Sequence, residues 1–134
     1  MATAYYGGGL FHNGTHIVDI LRFFLGEAEW VSASRNDNFS SGREMKDDFN
    51  VDALIGFKSG VVACLQGFEM DDYCLYDVSF FGERGRLNLK DLGGLEVEII
   101  AAKPHPGYAK NKALAYDSSQ SRREGRSFTL MPTI

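Results

Sequence analysis

Between Thr15 and Leu25 apolar residues recur at helical spacing, with Ile17, Ile20, Leu21 and Phe24 at i, i+3, i+4 and i+7. Val18 and Leu25 widen the stripe, and Asp19 and Arg22 can pair one turn apart on another side. Asn13 or Thr15 can cap the start, since either side chain can accept from the free N–H groups of a first turn. Gly26 stands where a left-handed residue ends a helix. The spacing predicts a helix over 15–25.

Beyond it the period changes from 3.6 to 2. Glu29–Ser34 reads as a short strand around Trp30 and Val31, followed by a polar stretch, 35–50, that reads as a surface loop. Val51, Ala53, Ile55 and Phe57 alternate with Asp52, Leu54, Gly56 and Lys58, and Lys58-Ser59-Gly60 is a hairpin turn. Val61–Met70 returns apolar on both faces, Asp71-Asp72 breaks the run, and Tyr73–Phe81 resumes it. Glycine turns at 82–85 and 91–94 lead into Arg86–Leu89 and Leu95–Ala101. Residues 103–127 are polar and read as a long loop, with a last strand at Phe128–Met131.

Strands joined by short glycine turns predict an antiparallel meander. The fold class expected is α+β: an open, mostly antiparallel sheet with one main helix packed on one face. One helix cannot cover a sheet that is apolar on both sides, so the other face is expected to be a partner surface.

Composition narrows the function classes. The 134 residues, 44% hydrophobic and 24% charged, suit one domain, and a chain of this size can bury roughly two-thirds of its unfolded surface. Ten Phe and six Tyr supply core, while a net charge of −4 argues against nucleic acid as partner. Cys64 and Cys74 are too few for a disulfide scaffold and fit a reducing, cytoplasmic setting. No apolar run reaches membrane-spanning length. The length is also too short for a complete dinucleotide-dependent enzyme, which needs a nucleotide fold and a substrate domain.

Candidate chemistry gathers at the predicted helix start. His12 and His16 lie four apart and can share a helix face. Such a pair can bind a metal, but Asn13 stands where the zinc-protease motif needs Glu, and no further ligand spacing is evident. His16 can instead be structural, bonded to backbone or to Asp19. It can also be a general acid/base oriented by Asp19, with the free N–H groups of the helix start favouring anionic or hydroxyl-bearing substrates. Gly7-Gly8-Gly9 is not a dinucleotide fingerprint, because only Met1–Tyr6 precede it; it reads as a close approach or a flexible lead.

The stretch 7–26, Gly-Gly-Gly-Leu-Phe-His-Asn-Gly-Thr-His-Ile-Val-Asp-Ile-Leu-Arg-Phe-Phe-Leu-Gly, resembles the helix-opening motif of the Gfo/Idh/MocA oxidoreductases. Asp52–Ala63 resembles that family's first hairpin, and Phe80–Leu87 its second. The resemblance covers roughly residues 5–101. It implies that residues 1–134 are a single-domain fragment of the family's C-terminal α/β domain, without the N-terminal Rossmann domain. It implies an NAD(P)-dependent dehydrogenase acting on a hydroxyl of a sugar, sugar derivative or cyclitol. On that footing this chain binds substrate and oligomerises as a homodimer, and holds no cofactor itself. NAD or NADP belongs to the parent enzyme. His16 matches the family's proton-accepting histidine, with His12 beside it and Asn13, Thr15 and Asp19 around the substrate. One departure stands out: His12 occupies the place of the family's usual Asp. The alternative is therefore a non-catalytic dimeric binding module on the same fold.

Overall fold

The computed structural model describes residues 1–36, 47–68, 75–91, 95–105, 107–116, 119 and 122–124. Among these residues the fold is α+β, with an open, mostly antiparallel sheet and one α-helix. It divides into two compact units, Met1–Phe80 and Phe81–Ile134.

The first unit carries β1 (Ala2–Tyr6), α1 (Thr15–Leu25), β2 (Ala28–Asn36), β3 (Asn50–Phe57), β4 (Val62–Gly67) and most of β5 (Tyr76–Gly82). Its strands lie in the order β2-β3-β4-β1-β5. β1 runs parallel to β4 and antiparallel to β5, so the expected meander is interrupted by the first strand of the chain. Met1–Tyr6 had no legible strand signal because its inward residues are mostly alanines, poor strand formers. Ala2, Ala4 and Tyr6 are fully buried, as are Ala63 and, nearly so, Leu65 and Val78. The small side chains of β1 let α1 come close.

The helix has the predicted bounds, 15–25, but a narrower buried face. Ile17 and Leu21 are fully buried, each stabilising the fold by roughly 1.5–3 kcal/mol. Ile20 is half-buried, and Phe24 remains 46% exposed while its ring lies 4.7 Å from that of Phe80. Gly26 ends the helix at φ +89°, as expected. Arg22 bonds Glu27 at 2.8 Å rather than Asp19, because the chain beyond Gly26 turns back past the last turn.

The face away from α1 is mixed rather than apolar. Strand alternation and register put Thr3, Asp52, Leu54, Cys64 and Gln66 there, with Ser32 and Ser34 of β2. Trp30 lies across Gly56, where a side chain would collide with the indole.

In the second unit β6 (Gly85–Asp91) and β7 (Leu95–His105) pair antiparallel, and β8 (Tyr108–Tyr116) and β9 (Arg122–Glu124) take the other edge of β7. Residues 103–127 are thus not one long loop. Their strand pattern is hidden because the half-buried positions, Ala113 and Ala115, are small. Met70, Asp71, Asp72, Tyr73, Cys74 and the 128–131 strand expectation lie outside the described residues.

A polar ladder crosses β6 and β7. Asn88, 2% exposed, donates to Glu98 at 2.9 Å and accepts from Arg86, while Lys90 lies 2.7 Å from Glu98. The Lys90 ammonium, and then the Asn88 amide, hold the Glu98 carboxyl below its ordinary value. A depressed carboxyl contributes stability above its unfolded pKa and loses it as pH falls through the folded one. Glu98→Gln should therefore lower stability near neutrality by about 0.5–1 kcal/mol, since the pair is partly exposed. Thermal melts should show that difference shrinking below about pH 4.5. A difference constant from pH 7 to pH 3 would refute this role for the carboxylate.

Candidate functional site

The segment between β1 and α1 is a single π-helical turn, Leu10–Gly14, entered through Gly7-Gly8-Gly9. It is neither a flexible lead nor a side-chain-capped helix start. Gly14 stands at the N-cap position of α1 without a side-chain bond. Asn13 instead donates its amide to the Gly7 carbonyl at 2.7 Å, closing the glycine loop. Thr15 donates its hydroxyl to the carbonyls of Phe11 and His12, at 3.3 and 3.2 Å. Neither caps the helix as the spacing suggested, because the π turn carries the chain into α1 already coiled.

What holds the turn comes from the segment just before and into β3. Successive N–H groups of Gly9, Leu10, Phe11 and His12 meet successive acceptors on Asn50, Phe49 and Asp48. The Gly9 N–H donates to Asn50 Oδ1 at 3.1 Å, and Leu10 to the Phe49 carbonyl at 3.0 Å. Phe11 and His12 donate to the two carboxylate oxygens of Asp48, at 2.8 and 3.0 Å. Asn13 and Gly14 donate to the Gly9 carbonyl, each at 3.1 Å. Asp48 and Asn50 are 4% and 1% exposed. Beneath them the fully buried Tyr6 hydroxyl donates to the Val51 carbonyl at 3.1 Å and accepts from its N–H at 2.8 Å.

The expectation of free N–H groups awaiting an anionic substrate is overturned. From Gly9 to Gly14 the backbone donors are engaged within the chain. Sequence reasoning missed Asp48 and Asn50, which lie 36–41 residues from their partners in a stretch that reads as surface loop. The available signal was their type: Asp and Asn are the side chains that most readily bind neighbouring backbone N–H groups.

The five candidate side chains are all carried by this turn and the first turns of α1. His12, Thr15, His16 and Asp19 are exposed, and Asn13 is half-buried. Among the described residues no hydrogen bond joins Asp19 to His16. An apolar recess of about 200 Å³ lies beside α1, lined by Val18, Val31, Ile55 and Phe57 among others, but none of the five lines it. The candidate residues thus share one turn and the start of α1, four of the five exposed.

Pyrophosphate recognition at a glycine-rich helix start uses free backbone N–H groups, and from Gly9 to Gly14 they are taken within the chain. Among the described residues no group of three or more His, Cys, Asp or Glu could hold a metal ion. No helix among them is long and apolar enough to cross a membrane.

The profile of the GFO/IDH/MocA C-terminal domain matches residues 1–88, which include the glycine loop, the π turn, α1 and Asp48. This chain belongs to that family. Three solved structures resemble this GFO/IDH/MocA domain. One, from Desulfitobacterium hafniense, is assigned as an NADPH-dependent oxidoreductase, with TM-score 0.62, 14% identity, and coverage of 93% of this chain and 41% of the other. Another is the UDP-N-acetylglucosamine 3-dehydrogenase GnnA of Acidithiobacillus ferrooxidans, with TM-score 0.61, 14% identity and the same coverage, 93% and 41%. The third is an oxidoreductase of Agrobacterium radiobacter solved with NAD+, L-tartaric acid and magnesium, with TM-score 0.51, 17% identity, and coverage of 85% and 36%. At these identities the likeness is one of fold. This chain spans about two-fifths of the length of the first two. No curated protein matches it in sequence.

Proposed function

We propose that this domain binds the substrate and supplies the acid/base group of an NAD(P)-dependent dehydrogenase that oxidises a hydroxyl of a sugar, sugar derivative or cyclitol. The observation that carries this reading is the placement of His16 and His12 on an exposed wall whose backbone is held from below by Asp48 and Asn50. Oxidising an alcohol requires a base for the hydroxyl proton, and an imidazole is the side chain most often placed for that task. His16 is that base. His12, Asn13, Thr15 and Asp19 present polar groups to the neighbouring hydroxyls of the substrate.

An open wall needs a second wall. In the whole enzyme that wall is a separate domain that holds the nicotinamide. The dehydrogenase among the structural neighbours acts on a nucleotide sugar, and another neighbour was solved with NAD+, which supports the reaction class. A homodimer through the sheet face opposite α1 belongs to the same reading, supported by exposed Trp30, Leu54 and Val62 beside polar Ser32 and Gln66.

A fluorescence titration of the 134-residue chain with NADH tests the division of labour. No saturable change is expected. Tight, saturable binding by this chain alone would refute it.

A further inference from the structure

We propose that Asp48 is the positioning residue for the histidine pair, an inference that rests on the acid/base reading of His16. The Asp48 carboxylate takes the backbone N–H groups of two consecutive residues, one per oxygen, and the second is that of His12 itself. Gripping both peptides fixes the orientation of the backbone between Phe11 and His12. That orientation determines where the His12 side chain leaves the turn. The constraint continues into α1, because the Thr15 hydroxyl holds the Phe11 and His12 carbonyls one turn before His16. The histidines themselves are exposed, so burial does not set their positions; the backbone beneath them does.

The carboxylate is well placed for this. It is 4% exposed, so water competes little for its oxygens, and charge-assisted bonds to N–H groups are the stronger kind. Gly9 lies directly against it, where any side chain would collide with the carboxylate. The neighbouring acceptors Phe49 and Asn50 fix the two preceding N–H groups, so Asp48 terminates a four-residue clamp at the residue whose side chain matters.

Amide hydrogen exchange and histidine ring resonances of the 134-residue chain, read by NMR at one pH, test the proposal without any turnover. In the unsubstituted chain the Phe11 and His12 amides should be protected; free exchange at both would overturn it. In Asp48→Ala both amides should exchange roughly tenfold faster or more, with Ala4 and Leu65 unchanged. The ring resonances of His12 and His16 should shift as well. Faster amides with both rings unmoved would mean that Asp48 stabilises the turn without positioning the histidines, and the proposal fails. Asp48→Asn keeps the shape and one acceptor, so one of the two amides should stay protected and the ring shifts should be smaller. It decides the matter if the alanine variant does not fold: rings identical to those of the unsubstituted chain would again refute the proposal. Failure of the acid/base reading is distinct, because it shows as turnover indifferent to His16→Ala while the rings still respond to Asp48.

Discussion

Gly9→Ala will destabilise the first unit by about 2–5 kcal/mol, from backbone strain together with forced displacement of a buried carboxylate. Gly9 sits at φ +97°, a region that side-chain-bearing residues rarely adopt. An added methyl would also be driven into the Asp48 carboxylate, which cannot retreat without releasing Phe11 and His12. Gly26→Ala is the internal control. It has a similar φ of +89°, but an added carbon meets nothing within 4 Å, so only the backbone strain of about 1–3 kcal/mol remains. Denaturant midpoints for the two variants, together with exchange of the His12 amide, check the prediction. Equal losses from both, with His12 still protected, would show that Asp48 does not crowd Gly9.

The helix and much of the sheet were legible because their signals are local. Ile17 and Leu21 repeat at helical spacing, and Val51, Ala53, Ile55 and Phe57 alternate; both sets are buried. The face of a helix is legible only as far as its neighbours are known. Phe24 belongs to the apolar stripe, yet half of it stays in solvent beside Phe80. β1 was illegible because alanines carry little strand preference, and its pairing with β4 joins residues about sixty apart. β8 was missed for the same lack of bulky apolar residues at its inward positions.

At the site, the types and spacing of His12, Asn13, Thr15 and His16 were visible, whereas their support was not. A capping residue is sought within the helix or just before it; here the turn is held by Asp48 and Asn50. The carboxylate that steadies the helix start therefore comes from the edge of β3. The buried Asp48 bonds the backbone N–H of His12.

If His16 is the base, removing its imidazole removes the acceptor for the hydroxyl proton. Thr15 and Asn13 are spent on backbone carbonyls. General-base assistance is worth roughly 10²–10⁴-fold in rate. The decisive measurement is steady-state turnover of His16→Ala in a dehydrogenase that carries this domain together with its nicotinamide-binding domain, assayed with a polyol or sugar substrate. The expected result is a kcat lower by roughly 10²–10⁴-fold with the thermal stability of the domain retained, since His16 is exposed. Unchanged kcat would contradict the acid/base role and favour a binding module that kept the fold without the chemistry.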